Sequence, residues 1–520
     1  MKKDDKVRSR LGSVGRRDLL KVSAGVALGQ MLPIPKASAE TPAAARPAGV
    51  IAETGTGWKN DANRSSGNGP MDNTTRQIVQ YVSSFSESNL SEAAVETMGY
   101  IMMDSIASLM AGFESEPARI CARLARTTQS DLKSTVLGYG VTTSPELAAF
   151  ANGCMLRHTD FNDYGPGGHP SDIISGILAV AEALHSTGMQ TLGAVAMGYE
   201  IIGALALASP GDGVGDGGWD GPYEGLATAL AVGKLMGLNE DQLANALSLA
   251  LVPHMPMIVS HIGALSHWKG CHSSESIRCA IFAALMAKEG MTGPSEPFEA
   301  RHGLFDHMGR FKELHLPAGG PDGRMIVQRI SYKRYPAEAS TQSVIEMVPQ
   351  IKAWTKVEDI QSIVAELPFD GWQEIADPPK WDPRNRETAD HSFPYVLSRA
   401  LLDGDIYLDS YTPEKFMDPV ARRLMDKITV RANMDYTYLG QARLTVRTKT
   451  DVLVKETAVH VETPMTHEEV MGKFNRVCDF RSVSSGQKDR ARAAWSNLRA
   501  VKDIAEPMRD LANFGRPLPL

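Results

Sequence analysis

The 520-residue chain is poor in cysteine and has no excess of basic residues, and both shortages remove whole classes of function. Its five cysteines, Cys121, Cys154, Cys271, Cys279 and Cys478, are odd in number, and no two stand at C-x-x-C spacing. That argues against a disulfide framework and against a zinc site, and leaves them as small, buried apolar residues. Lys and Arg total 54 against 61 Asp and Glu, a net charge of −7, so the general electrostatic footprint of a nucleic-acid binder is missing. No repeat of fixed period is visible, and neither H-E-x-x-H nor G-x-x-x-x-G-K-[ST] occurs. The glycine-rich run Gly211 to Gly221 fails as a dinucleotide loop because Asp216 stands where the third glycine belongs, and it reads as a mobile loop near a site. A composition of 43% hydrophobic and 22% charged residues excludes global disorder, collagen-like and coiled-coil chains.

Long apolar runs are also scarce at the N-terminus. Arg16-Arg17-Asp18-Leu19-Leu20-Lys21 has the layout of a twin-arginine export signal, followed by the apolar stretch Val22 to Leu32 and a small-x-small cleavage site at Ala37-Ser38-Ala39. The stretch is shorter than the roughly 20 residues that span a bilayer and is followed by Pro33 and Pro35, which favours a cleaved signal over an anchor. Residues 1–39 hold nine Lys or Arg and three Asp, so cleavage leaves 481 residues carrying −13. The expected location is the periplasm, with membrane contact only during export of the already folded protein.

Residues 40–73, rich in Ala, Pro, Gly, Ser and Asn, read as a flexible linker. Residues 74–320 have a helical pattern: Val95, Met98, Met102, Ile106 and Leu109 share one face, Asn89 with Glu92 resembles a capping box, and Gly290 with Pro294 closes the last long helix. Further helices are expected at Ile173 to Leu184, Thr191 to Ile202, Leu226 to Met236, Asp241 to Leu251 and Ser273 to Glu289. Residues 321–463 change to short β-branched runs, including Met325 to Ile330, Ile360 to Leu367, Ile428 to Val430 and a hairpin over Arg443 to Val461. Thr466 with Glu469 caps a return to helix over residues 464–520. The expected fold is mainly α: a large helical domain, a smaller α+β lid domain, and C-terminal helices returning to the helical domain.

The densest polar stretch runs from His158 to Asp172. It places Asp160 and Asp163 on a loop and His169 at a helix N-terminus, where backbone N–H groups favour an anion and a neutral imidazole. A carboxylate base beside a neutral histidine suits proton abstraction next to a carboxylate, although a capped, Asx-rich turn with a solvated histidine explains the same residues equally well. Lys269, within Ser266-His267-Trp268-Lys269, reads either as a cation for a substrate carboxylate or as a surface lysine. His254, His261, His267 and His272 crowd this region without metal-ligand spacing, so no metal is expected.

Asp160-Phe161-Asn162-Asp163, Gly168-His169-Pro170-Ser171-Asp172, Ser266-His267-Trp268-Lys269, Gly290-Met291-Thr292-Gly293-Pro294, Tyr335-Pro336-Ala337-Glu338 and Ala389-Asp390-His391-Ser392-Phe393-Pro394-Tyr395, in that order, resemble the MmgE/PrpD family. The resemblance implies a helical domain with an α+β lid, a homodimer, and cofactor-free, metal-independent chemistry on small polycarboxylates at a site between the two domains. It carries over Asp160, His169, Lys269 and Tyr395 as catalytic positions, and Tyr164, Lys333 and His391 as substrate contacts. The implied activity is a dehydratase-type lyase like 2-methylcitrate dehydratase. A decarboxylase, an epimerase, or a polycarboxylate-binding protein without turnover are the alternatives. Gly221 and Ser340 depart from the family pattern by standing where histidines are usual.

Overall fold

The structure, a computed structural model, describes residues 69–210, 221–319, 323–456, 465–516 and 520. The expected export signal, nearly all of the linker, and the glycine-rich run as far as Asp220 lie outside the described residues. Helix accounts for 57% and strand for 7%, which makes the fold mainly α with a small α+β part.

The chain opens with α1 (Asn73–Ser84), α2 (Glu92–Gly112) and α3 (Glu116–Ala125), then a hairpin of β1 (Ser134–Val136) and β2 (Val141–Thr143). Helices α4 (Pro145–His158), α5 (Ile173–Ala183), α6 (Gly188–Ala208), α7 (Glu224–Leu235), α8 (Glu240–Leu251), α9 (His272–Lys288) and α10 (Leu304–Met308) follow. The face expected on α2 is buried: Val95, Met98, Met102, Ile106 and Leu109 are all in the core, each such side chain contributing about 1.5–3 kcal/mol when fully buried. The cap differs from expectation. Ser91 accepts from the Ala94 N–H at 3.2 Å, because Asn89 closes a separate turn over Glu87–Asn89. Helix α6 is long and apolar enough to cross a membrane by composition, but nearly all of it is buried among its neighbours.

The α+β part contains α11 (Gln342–Trp354), β3 (Ser362–Leu367), α12 (Phe369–Ile375), α13 (Arg386–Ala389), α14 (Phe393–Asp403), α15 (Pro413–Phe416), α16 (Pro419–Met425), β4 (Ile428–Ala432), β5 (Arg443–Arg447) and β6 (Val452–Glu456). The strand order is β4-β3-β5-β6, with β3 parallel to β4 and antiparallel to β5. Alternation along β3 sends Ile363, Ala365 and Leu367 into a core shared with Val344, Val348, Val396 and Leu397. The run Met325 to Ile330, expected as a strand, forms a 3₁₀ turn at Ile326–Gln328 instead. Ile326 and Val327 bury against the helical core, and Glu200 accepts the Ile326 N–H, so no ladder partner is needed.

Helices α17 (His467–Phe480), α18 (Ser485–Trp495) and α19 (Ala505–Asp510) join the helical core through Val470, Phe474, Val477, Trp495 and Met508. Thr466 and Glu469 form the expected capping box. Lys473 on α17 is buried. Its Nζ donates to Asp104 Oδ1 on α2 at 2.6 Å and to the Lys333 carbonyl at 3.3 Å, and lies 3.8 Å from the Phe161 ring centroid. Lys473→Met should therefore lower unfolding stability by about 3 kcal/mol, since it leaves Asp104 buried without its partner. Urea denaturation measures this, and adding Asp104→Leu should recover much of the loss; an unchanged midpoint in the single variant would contradict it.

Candidate active site

A cavity of about 700 Å³ opens where the end of α4 and the loop after it face the α+β part. Its floor begins with Arg157 in the last turn of α4. The chain then turns sharply, with the Asp160 N–H bonded to the Arg157 carbonyl at 3.1 Å and Asp160 in the left-handed region at φ 51°. Aspartate is one of the few side chains that tolerates this conformation, and it brings the Asp160 carboxylate back over its own helix end. One oxygen accepts from Arg157, and the other accepts from Lys333 Nζ at 2.7 Å. Arg157, Asp160 and Lys333 all line the cavity and are nearly inaccessible otherwise.

The loop continues through Tyr164, whose N–H and carbonyl pair with Ser331, and whose ring lies 5.9 Å from Lys333 Nζ. Gly167, at φ 88°, lets the loop close on α6: a Cβ there would stand 2.5 Å from Ile202. His169 Nδ1 lies 2.6 Å from the Asp163 carbonyl. A carbonyl only accepts, so Nδ1 carries a proton. The Asp163 carboxylate is engaged on both oxygens, by the Ser171 N–H at 3.0 Å and the Tyr199 hydroxyl at 2.8 Å, and serves to shape the loop.

The opposite wall comes from the α+β part and from the loop after α8: Glu338, Glu374 on α12, His391 between α13 and α14, and His261. The His261 and His391 rings stack with centroids 5.3 Å apart. Glu338 accepts from the Ser340 N–H at 2.8 Å and from the Ser340 hydroxyl at 3.2 Å, so the serine at a position where the family pattern has histidine clamps a cavity carboxyl. Burial, then the nearby Glu374 charge, pushes the Glu338 carboxyl up to about 7. Burial, then the Arg157 guanidinium, pushes the Lys333 ammonium down to about 7. Gly221 sits at φ 57°, and a Cβ there would meet the Glu224 carboxyl at 2.7 Å, so a histidine at this position requires Glu224 to move.

Of the residues expected from sequence, Asp160, Tyr164, His169, Lys333 and His391 are brought together on this cavity. Two are placed elsewhere. Lys269 is fully buried behind the wall, its Nζ 3.2 and 3.3 Å from the Asp390 oxygens and 3.9 Å from Asp160 Oδ1; burial brings it down to about 8. Tyr395 is in the core of the α+β part, its hydroxyl donating to the Ser410 carbonyl at 2.5 Å and its ring beside Tyr411, because the first turn of α14 points it inward. Asp160, with both oxygens already bonded to cations, organises charge and is poorly placed to carry protons. Sequence reasoning missed Arg157, Glu338, Glu374 and Asp390. Glu338 and Asp390 lay inside motif blocks already singled out, whereas nothing around Glu374 marked it.

Residues 76–316 match the MmgE/PrpD N-terminal domain and residues 335–498 match the MmgE/PrpD C-terminal domain, so the chain belongs to the MmgE/PrpD family. Among similar proteins, the cis-aconitate decarboxylase of Homo sapiens is 26% identical over 362 residues, covering 65% of this chain and 73% of that protein. The 2-methylcitrate dehydratase of Salmonella typhimurium is 27% identical over 385 residues, covering 69% and 77%. The mitochondrial 2-methylcitrate dehydratase of Yarrowia lipolytica is 24% identical over 474 residues, covering 84% and 89%.

Proposed function

We propose that the protein is a metal-independent lyase that removes water from a small di- or tricarboxylate, as the names of its dehydratase relatives indicate for them. The observation that carries this reading is the buried pair Arg157 and Lys333 on the cavity wall. Two cations there meet substrate carboxylates where water does not compete, and they stabilise the charge that develops when a carbon next to a carboxylate loses its proton. In a protein of net charge −7, affinity for anions must come from such local groups. Glu338, raised to about 7, is neutral for much of the time near neutral pH and is suited to protonate a departing hydroxyl.

Decarboxylation and epimerisation share the same developing charge, and the similarity to cis-aconitate decarboxylase keeps the first of these as the closest alternative. The test is a panel of 2-methylcitrate, citrate, cis-aconitate and related polycarboxylates, scored for water loss, carbon dioxide release and inversion. Water loss supports the proposal, release of carbon dioxide alone replaces it with the decarboxylase, and binding without turnover replaces it with a polycarboxylate-binding protein. The same reading includes export to the periplasm and assembly as a homodimer, checked by fractionation of the host cell and by light scattering.

The pH dependence of binding has a definite sign. Below about pH 7, Lys333 is protonated and Glu338 is neutral, so the cavity is at its most positive; both lose that state as pH rises. Affinity for tricarballylate, a tricarboxylate with no hydroxyl to eliminate, should fall as pH rises above about 7, by up to about tenfold per pH unit for each proton the complex requires. Glu338→Gln should flatten the fall. Calorimetry at a series of pH values measures it, and affinity that rises with pH would contradict the assignment.

A further inference from the structure

We propose that His391 is the base that takes the proton from the substrate carbon, with Asp390 and Lys269 as positioning residues behind it. This rests on the lyase reading above. Four features converge on the ring. His391 lines the cavity yet is only 1% exposed, so a group that reaches it from the cavity meets a nearly dry imidazole. Its Nδ1 lies 2.8 Å from Asp390 Oδ1. Asp390 is in turn ion-paired with Lys269 through both oxygens, at 3.2 and 3.3 Å, and its carbonyl accepts the Glu338 N–H at 3.1 Å, which fixes the backbone between the two cavity groups. A carboxylate paired with a lysine ammonium accepts, so Nδ1 carries the proton and Nε2 keeps its lone pair.

Nε2 makes no hydrogen bond among the described residues and stands 3.9 Å from Glu374 Oε1. The charged and titratable groups around the ring are Asp390, Glu374, His261, Lys269, Lys380 and Arg157. Burial, reinforced by the cations among them, holds the imidazole well below the ordinary histidine range, so the ring is neutral and able to accept at neutral pH. Asp390 then steadies the imidazolium once the proton arrives.

The elimination balances without a further reactant. The carbon–hydrogen bond breaks and its proton bonds to His391 Nε2. The electron pair left on carbon forms the double bond as the carbon–oxygen bond breaks, and the hydroxyl leaves as water with the proton of Glu338. His391 gives its proton to solvent, and Glu338 takes one back, before the next cycle. In this arrangement Lys269 never touches substrate; its ion pair holds Asp390 in place. Its wall position, which left it off the cavity surface, is thus accounted for.

The test combines nuclear magnetic resonance of isotope-labelled histidine in the full-length protein with kinetics on the substrate found by the panel. The His391 signal is assigned by its loss in His391→Gln. The expected wild-type result is a neutral ring protonated on Nδ1 at neutral pH, whose Nε2 resonance shifts when tricarballylate is added. Asp390→Asn should move the proton to Nε2 and lower kcat by about 10² to 10⁴ while KM changes less than about threefold. His391→Gln should abolish turnover but still bind tricarballylate. A cationic or Nε2-protonated ring in the wild type, no response to tricarballylate, or turnover retained in His391→Gln would each overturn the proposal. If no polycarboxylate turns over in the wild type, the lyase reading fails and this proposal fails with it as a catalytic role. The tautomer and the tricarballylate response would then still report whether His391 faces the anion pocket.

Discussion

Lys333→Met is expected to lower turnover about a thousandfold and to weaken tricarballylate binding strongly. Removing one preorganised donor from a water-excluded site typically costs about 10² to 10³ in rate. Lys333 has two tasks at once: it faces the cavity, and it donates to Asp160 Oδ2 at 2.7 Å. Methionine matches the stem of the lysine and removes only the ammonium. It leaves that Asp160 oxygen turned towards the cavity, so a substrate carboxylate meets a negative charge in place of a positive one. The lost attraction and the new repulsion have the same sign, which is why this effect should exceed that of a surface cation such as Lys312 at the same cavity. Kinetics and calorimetry on the purified variant measure it. Turnover within about tenfold of wild type, against the penalty expected for a lost cavity cation, would remove Lys333 from the site.

The second large effect concerns Arg157, where function and folding share one side chain. Arg157 is buried, donates to Asp160, and its Nε lies 3.7 Å from Asp172 Oδ2. Arg157→Leu removes the guanidinium beside two buried carboxylates, although Asp160 keeps Lys333. The expected loss of unfolding stability is about 3–5 kcal/mol, the usual result of breaking a buried pair from one side. Part of that loss has a pH signature. Burial already raises Asp172 to about 6 with the arginine present, so without it the carboxyl favours its neutral form still more. A group whose folded pKa is raised stabilises the fold most at low pH, so the deficit of the variant should shrink as pH falls through about 6. Urea denaturation at two pH values tests this. A deficit independent of pH would mean that Asp172 does not depend on Arg157.

Much of the fold was legible in the sequence because its signals are local. The single apolar face of α2, the Thr466–Glu469 capping box and the alternation along β3 each act within a few residues. The failures are places where a distant partner decided the outcome. Met325 to Ile330 has strand composition, but the Ile326 N–H finds Glu200 and its side chain finds the helical core. The site shows the same division. Asp160, His169 and Lys333 stand in dense polar or motif segments, and all three line one cavity. The direction in which a side chain leaves its motif was not readable. Lys269 and Tyr395 belong to motif blocks, yet the first points to Asp390 behind the wall and the second to Ser410 inside the α+β core. Glu374 had no signal at all, because α12 reaches the cavity only through the packing of the sheet that carries it.

Gly221 and Ser340 stand where the resemblance expects histidines, and the proposed acid–base pair, Glu338 and His391, needs neither of them. Ser340 holds Glu338, the proposed acid, through its N–H and its hydroxyl. Gly221 leaves room for the Glu224 carboxyl beside the loop that bears His169. The cavity has cations on the α4 side and Glu338 with His391 on the α+β side, so the proposed charge recognition and proton transfer fall on two walls of one cavity.

A crystal structure of the full protein soaked with tricarballylate should show one carboxylate bonded to Arg157 and Lys333 and a carbon next to a carboxylate facing His391 Nε2, with Lys269 still on Asp390. Tricarballylate bound away from Arg157 and Lys333, or an empty cavity at concentrations that saturate binding in solution, would contradict this arrangement.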